Sequence, residues 1–292
     1  MGCEMECHDR RCSEEAEFRA KKSLGQHFLV DENVLEQVLS AAALDKEDVV
    51  VEVGPGLGVL TRKLASVAGS VVAVELDHRL VGILKRKLAS CSNVKVIQGD
   101  ILNLSPASLI GDLCGEDNPM SKYKVVANLP YYITSPILRH FLQAAAKPSL
   151  MVIMVQKEVG EAIAARPGKM RLLAVSVQLF SRPTIVASVP ACSFRPVPKV
   201  ESLILRLDVY QKPLVKTADI AGFLDIVSCG FHAPRKQLQN SLAHALALPS
   251  AQVATLLSQM EIDAKRRAET LTIEEWGFIY EKFVCFREQM SC

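Results

Sequence analysis

No stretch of this 292-residue chain stays apolar for anything near the ~20 residues that a membrane-spanning helix needs. The first 20 residues mix charges of both signs and lack the apolar core of a secretory leader. Glu6 stands where an N-myristoylation signal carries Ser or Thr. There is no CxxC pair. Cys3, Cys7, His8 and Cys12 match neither a zinc pattern nor the CxxxCxxC spacing of a radical iron–sulfur loop, so no metal centre is expected. There is no Pro-Cys pair, which excludes the nucleophilic thiol commonly used to methylate cytosine C5. Internal repeats and low-complexity tracts are absent, and the net charge is only +2, a sum that suggests no polyanionic partner.

What is present is a globular composition. Apolar residues make up 49% of the chain, enough for a sizeable core, which excludes a disordered tail or a disulfide-stapled mini-domain. Nine scattered cysteines, an odd number, point to reduced thiols and a cytoplasmic location. The charge is unevenly spread. Residues 139–206 hold 10 basic and 3 acidic side chains, a net +7, while residues 1–30, 31–138 and 207–292 carry −1, −3 and −1. The neutral sum therefore conceals one basic stretch, which is either an ordinary solvated surface or a face for a polyanion.

Short β-branched runs at 49–53, 70–75, 94–98, 123–127 and 150–156 predict buried strands, and helical stretches such as 58–68 and 78–90 lie between them. Such alternation predicts an α/β domain with a parallel sheet covered on both faces. Asp31 is a candidate cap for a helix bearing Val34, Leu35, Val38, Leu39 and Ala42. A helix after Arg171 and strands at 183–189 and 202–209 follow, and then the β signal stops. Four helical segments remain, near 218–230, 235–247, 250–260 and 273–286. The expected organisation is a flexible extension (1–20), a Rossmann-like catalytic domain (21–212) and a small all-helical C-terminal domain (213–292).

The segment VVVEVGPGLGVLT (49–61) reads as a strand, a glycine turn and a helix start, with Gly54, Gly56 and Gly58 spaced GxGxG. Glycines there let a ligand approach the backbone beside a helix N-terminus. Glu75 ends the next strand, where a carboxylate accepts both hydroxyls of a ribose. A dinucleotide site prefers GxGxxG, whereas GxGxG preceded by Glu52 resembles motif I of S-adenosylmethionine (SAM) methyltransferases. Asp100 follows the third strand, placed to accept from an adenine amine. Asn128-Leu129-Pro130-Tyr131 follows the fourth. An exocyclic adenine amine is a poor nucleophile until its nitrogen becomes pyramidal. The Asn128 side-chain oxygen and the Leu129 carbonyl are suited to accept hydrogen bonds from that geometry, with Tyr131 stacked on the base.

With these residues, the chain from about 21 to 286 resembles the RsmA/KsgA family of rRNA adenine N6,N6-dimethyltransferases. Residues 23–29 (SLGQHFL) are similar to the family's N-terminal cofactor motif, which implies SAM contacts at His27 and Leu29 in addition to Gly54, Glu75, Asp100 and Asn128. Residues 189–202 resemble its FxPxPKVxS motif, which implies that Phe194 stacks on the target base opposite Tyr131. Residues 231–242 resemble FxxRRKxLxNSL, with Pro234 in place of the first Arg, and 267–271 resemble a second tail motif. The resemblance implies dimethylation of two adjacent adenosines near the 3′ end of small-subunit rRNA, on the immature small ribosomal subunit, by a monomer. Arg166, Lys169, Arg171, Arg195, Lys199, Arg235 and Lys236 are the candidate RNA contacts. Two rival readings are a large-subunit methyltransferase conferring macrolide resistance and a non-catalytic assembly or transcription factor on the same fold.

Overall fold

A computed structural model describes residues 25–114 and 123–291. The cysteine cluster of residues 3–12 and the first two residues of the SLGQHFL motif lie outside the described residues.

The chain begins with β1 (Phe28–Leu29), α1 (Glu32–Ala42), β2 (Val49–Val53), α2 (Val59–Val67), β3 (Ser70–Glu75), α3 (His78–Lys87) and β4 (Val94–Gln98). It continues through α4 (Pro106–Cys114), β5 (Tyr123–Asn128), α5 (Thr134–Leu142), β6 (Leu150–Gln156), α6 (Lys157–Ile163), α7 (Leu172–Gln178) and β7 (Ser181–Val189). Then come β8 (Phe194–Arg195), β9 (Ser202–Val209), α8 (Ile220–Phe231), α9 (Leu238–Leu246), α10 (Ser250–Ser258) and α11 (Ile273–Ser291).

Seven strands form one sheet in the order β4-β3-β2-β5-β6-β9-β7. The first five are parallel, as their continuous apolar runs predict, but β9 pairs antiparallel with both β6 and β7. The sheet is therefore mixed, which corrects the expectation of a parallel one. Only short connections lie between β7, β8 and β9, and an antiparallel return needs no crossover helix.

Side-chain alternation divides the strands between two apolar layers. Met151, Ile153 and Val155 of β6 enter one cluster, while Leu150, Val152 and Met154 enter the other. Val38 and Leu64, from α1 and α2, cover the second layer. Asp31 caps α1 as expected, accepting from the backbone N–H of Asn33 at 3.0 Å. The first layer continues without a break into Phe223, Val227, Leu242 and Trp276 of the C-terminal helices. The expected boundary at 212/213 falls between the end of β9 and the start of α8, but the helices share this core rather than enclosing a separate one.

The chain runs from β2 outward to β3 and β4, then returns to the other side of β2 to add β5 and β6. Strand order reverses between β2 and β5. In an open α/β sheet that reversal opens a crevice beyond the carboxyl ends of the strands, where ligands bind.

Candidate active site

A cleft enclosing about 1030 Å³ of empty space, its open mouth included, occupies that crevice. Every cofactor residue expected from the sequence lines it: His27, Leu29, Gly54, Glu75, Asp100 and Asn128. Four come from the ends of four parallel strands or the turns just after them, and two come from the segment around β1.

The glycine turn is shaped by close packing. Gly56 has φ +58°, and a Cβ there would sit 2.8 Å from the Phe28 ring. Glycine at 56 thus lets the N-terminal segment lie against the loop. Glu75 closes the same loop from β3, its Oε2 accepting from the Gly56 N–H at 3.2 Å and its Oε1 from the Asp77 N–H at 2.9 Å. The carboxylate is buried, and desolvation raises its pKa against the pull of those two bonds. Asp77 caps α3, and the Arg79 guanidinium holds its carboxyl far below the usual range. Asp77 also accepts from Gln26 Nε2 at 3.3 Å, a further tie between the N-terminal segment and the sheet. Asp100 lines the cleft and at the same time caps the turn after β4, its Oδ1 accepting from the Leu102 N–H at 3.0 Å.

The residues expected to do chemistry converge on the far wall. Asn128 Nδ2 donates to the His27 carbonyl at 3.0 Å. The opposite amide orientation would set two oxygens face to face, so this bond leaves Oδ1 as the group to accept from a substrate. Leu129 is anchored by its N–H to the Met154 carbonyl at 3.1 Å. The Tyr131 hydroxyl lies 2.8 Å from the Ser202 hydroxyl, which joins the NLPY turn to the end of the FxPxPKVxS motif.

Phe194 is not part of this wall. Its side chain is 0% exposed and packs in the apolar layer with Leu29, Val34 and Leu35. The expectation that it faces Tyr131 is corrected on this point. In β8 successive side chains point to opposite sides, so Phe194 turns inward and Arg195 outward. The ring that faces Tyr131 is His27, at 5.7 Å between centroids and 25° between planes. Its Nδ1 lies 2.7 Å from the Pro196 carbonyl, which draws the β8–β9 loop onto the site.

The seven candidate RNA contacts, Arg166, Lys169, Arg171, Arg195, Lys199, Arg235 and Lys236, are all exposed. They differ in freedom. Arg195 donates to the carbonyls of Cys192 and Phe194, and Arg171 lies 3.6 Å from Glu158. The 166–171 loop is held at its centre, where the Gly168 and Met170 N–H groups both donate to the Glu269 carbonyl in the second tail motif. Sequence reasoning missed Tyr132, which is 53% exposed at the cleft mouth beside Gly25. Its only signal was a second tyrosine after the NLPY motif.

The cleft fits an adenosyl cofactor by its chemistry. Carboxylates at two successive strand ends suit hydroxyls and an amine, and apolar side chains such as Leu76 and Ile101 between them suit a flat ring. Fold and cleft together are those of a Rossmann-like SAM-dependent methyltransferase.

Comparison with known proteins narrows the class. The family model for ribosomal RNA adenine dimethylase matches residues 17–282. The chain is 47% identical over 262 residues to the ribosomal RNA small subunit methyltransferase A of Dehalococcoides mccartyi strain 195, covering 90% of this chain and 88% of that one. It is 42% identical to the same-named protein of Alkaliphilus oremlandii, covering 90% and 91%. The solved 23S rRNA methyltransferase ErmE superposes with a TM-score of 0.68 at 28% identity, covering 87% of this chain and 98% of that one. A dimethyladenosine transferase from Plasmodium falciparum shares the fold, with a TM-score of 0.74 at 23% identity, covering 89% and 98%. The chain belongs to the ribosomal RNA adenine dimethylase family.

Proposed function

We propose that this protein uses SAM to dimethylate N6 of two adjacent adenosines near the 3′ end of small-subunit rRNA, in ribosome biogenesis. The observation that carries the reading is the meeting, in one cleft, of the Glu75–Asp100 carboxylates and the Asn128–Tyr131 wall. The small-subunit target rests on the name of the relatives at 42–47% identity, and the amine target on the Asn128 amide.

Bound SAM supplies an activated methyl group. His27, Leu29, Gly54, Glu75, Asp100 and Asn128 are the residues that would hold it. Asn128 Oδ1 and the Leu129 carbonyl accept hydrogen bonds from the target amine and favour its pyramidal form over the planar ground state. The nitrogen lone pair would form the new N–C bond as the donor's S–CH3 bond breaks, the sulfur keeping that electron pair as the neutral thioether of S-adenosylhomocysteine and the surplus proton leaving to solvent. Tyr131, fixed by Ser202, stacks on the extruded base. Pro130 stiffens the turn, so positioning costs little at the moment of reaction. Arg166, Lys169, Arg171, Arg195, Lys199, Arg235 and Lys236 provide the phosphate-facing surface. On this reading residues 21–212 form the catalytic unit and 213–292 a helical domain that carries part of that surface. The protein acts as a cytoplasmic monomer on immature small subunits. Among the described residues, no helix is long and apolar enough to cross a membrane.

Purified protein, labelled SAM and immature small subunits test the proposal, with mass spectrometry of rRNA adenosines as the readout. Dimethyladenosine near the small-subunit 3′ end is expected. Modification of large-subunit rRNA with macrolide resistance on expression would overturn it, as would absence of transfer.

A further inference from the structure

Three carboxylates line the cleft, Glu52, Glu75 and Asp100, and no Lys or Arg does so among the described residues. Two of the three are committed to backbone N–H groups, Glu75 at Gly56 and Asp77, and Asp100 at Leu102. Glu52 is different. It occupies the penultimate position of β2, is 2% exposed, and its Oε2 has no hydrogen-bond partner among the described residues. The Thr61 hydroxyl beside it on α2 is likewise buried without a partner of ordinary geometry. A buried carboxylate oxygen left bare is costly unless a charge or a donor arrives from elsewhere.

We propose that Glu52 is the counter-charge for the positive charge that the cofactor carries into the cleft. The inference rests on the SAM reading above. The titratable groups around Glu52 agree in sign. Glu75 from β3 opposes its ionisation, and Asp100 from the turn after β4 adds a further acid to the cleft. His27, from the N-terminal segment, is the cleft's sole basic side chain among the described residues. Burial, opposed by the Thr61 hydroxyl and reinforced by Glu75, pushes the Glu52 carboxyl up to about 8, so it is protonated in the free protein at neutral pH. A cation placed beside it favours the carboxylate. Binding of the cofactor then expels the Glu52 proton, and affinity depends on pH below about 8. The device makes the cleft neutral at this position when empty and anionic when filled.

Titration calorimetry of SAM in buffers of different ionisation enthalpy reads this directly, without turnover. Wild-type protein is expected to release close to one proton per SAM at pH 7 and almost none at pH 9. Its affinity should rise by up to about tenfold per pH unit between pH 6 and 8. Glu52→Gln, which keeps shape and burial, should lose that proton and that slope and bind SAM at least about tenfold more weakly at pH 8. The amino group of SAM titrates near the same range but equally for both proteins, so the difference between them is the readout. Glu52→Asp should keep proton release even if it weakens binding, which separates charge from packing. SAM binding with the same proton count and parallel pH profiles in wild type and Glu52→Gln would overturn the inference alone. A folded wild-type protein with no affinity for SAM would overturn the SAM reading beneath it.

Discussion

Asn128 Nδ2 donates a 3.0 Å hydrogen bond to the backbone carbonyl of His27, a residue 101 positions earlier in the chain. That bond fixes which end of the Asn128 amide faces the cleft. Asn128→Ala should lower the rate of methyl transfer by about 10²–10³, the typical cost of removing one preorganised polar partner of a transition state. Asn128→Asp should fare no better, because a carboxylate meets the His27 carbonyl acceptor to acceptor. Single-turnover transfer of labelled methyl groups checks both. Full activity of the Ala variant would remove Asn128 from the mechanism.

The 2.8 Å approach of the Tyr131 and Ser202 hydroxyls predicts a graded series. Ser202→Ala should cost about 0.5–1.5 kcal/mol in kcat/KM for RNA, the worth of one hydrogen bond. Tyr131→Phe should match it, since the ring is kept. Tyr131→Ala should lose a further ~1–3 kcal/mol of base stacking. Equal effects of Phe and Ala at position 131 would count against stacking.

Reversing the charges at Arg166, Lys169 and Arg171 should weaken RNA binding. It should also flatten the salt dependence, by up to about 0.9 in log–log slope for each phosphate that is no longer neutralised. SAM affinity should hold, because the loop lies outside the cleft. Filter binding across a salt series and calorimetry with SAM separate the two. Matched losses would contradict the division of labour.

Glu52 also makes a prediction about stability. Its carboxyl is raised from the ordinary 4.5 to about 8 in the folded protein, so the folded state binds the extra proton. The stability linked to it is complete below pH 4.5 and declines as pH rises to 8, by up to about 1.4 kcal/mol per unit. Glu52→Gln removes this loss. The variant should melt at increasingly higher temperature than wild type as pH goes from 5 to 8, with no ligand present. A constant gap across that range would show that Glu52 does not hold its proton.

In the helical tail, a Cβ on Gly230 would overlap the fully buried Trp276 ring. Gly230→Ala should therefore destabilise the protein by about 1–3 kcal/mol, as overpacking of a core does. Thermal unfolding followed by Trp276 fluorescence reports it at the site.

Much of this could be read from the residues. The runs at 49–53, 70–75 and 150–156 coincide with β2, β3 and β6, because strands buried on both faces are apolar at nearly every position, and the run at 94–98 coincides with the edge strand β4, which is only partly buried. Gly54, Glu75, Asp100 and Asn128 line one cleft because the sheet order sets the ends of β2, β3, β4 and β5 side by side, whereas His27 and Leu29 reach it from the segment around β1. The antiparallel return of β9 is hidden in the sequence, because an apolar run carries no mark of its direction. The side-chain direction of Phe194 is hidden too, because a two-residue strand offers too little alternation to show which way it turns. The bare oxygen of Glu52 is beyond sequence altogether. Its burial, and the nearness of Thr61 and Glu75, arise only on folding.

A single carbonyl, that of Glu269, receives the N–H groups of both Gly168 and Met170. The cations of the 166–171 loop are thereby aimed by the tail, although they belong to the catalytic half of the sequence. Fraying of the 267–271 segment would leave every cofactor-binding residue where it stands. It would release the loop, and its three cations would lose their direction before any residue of the cleft had moved.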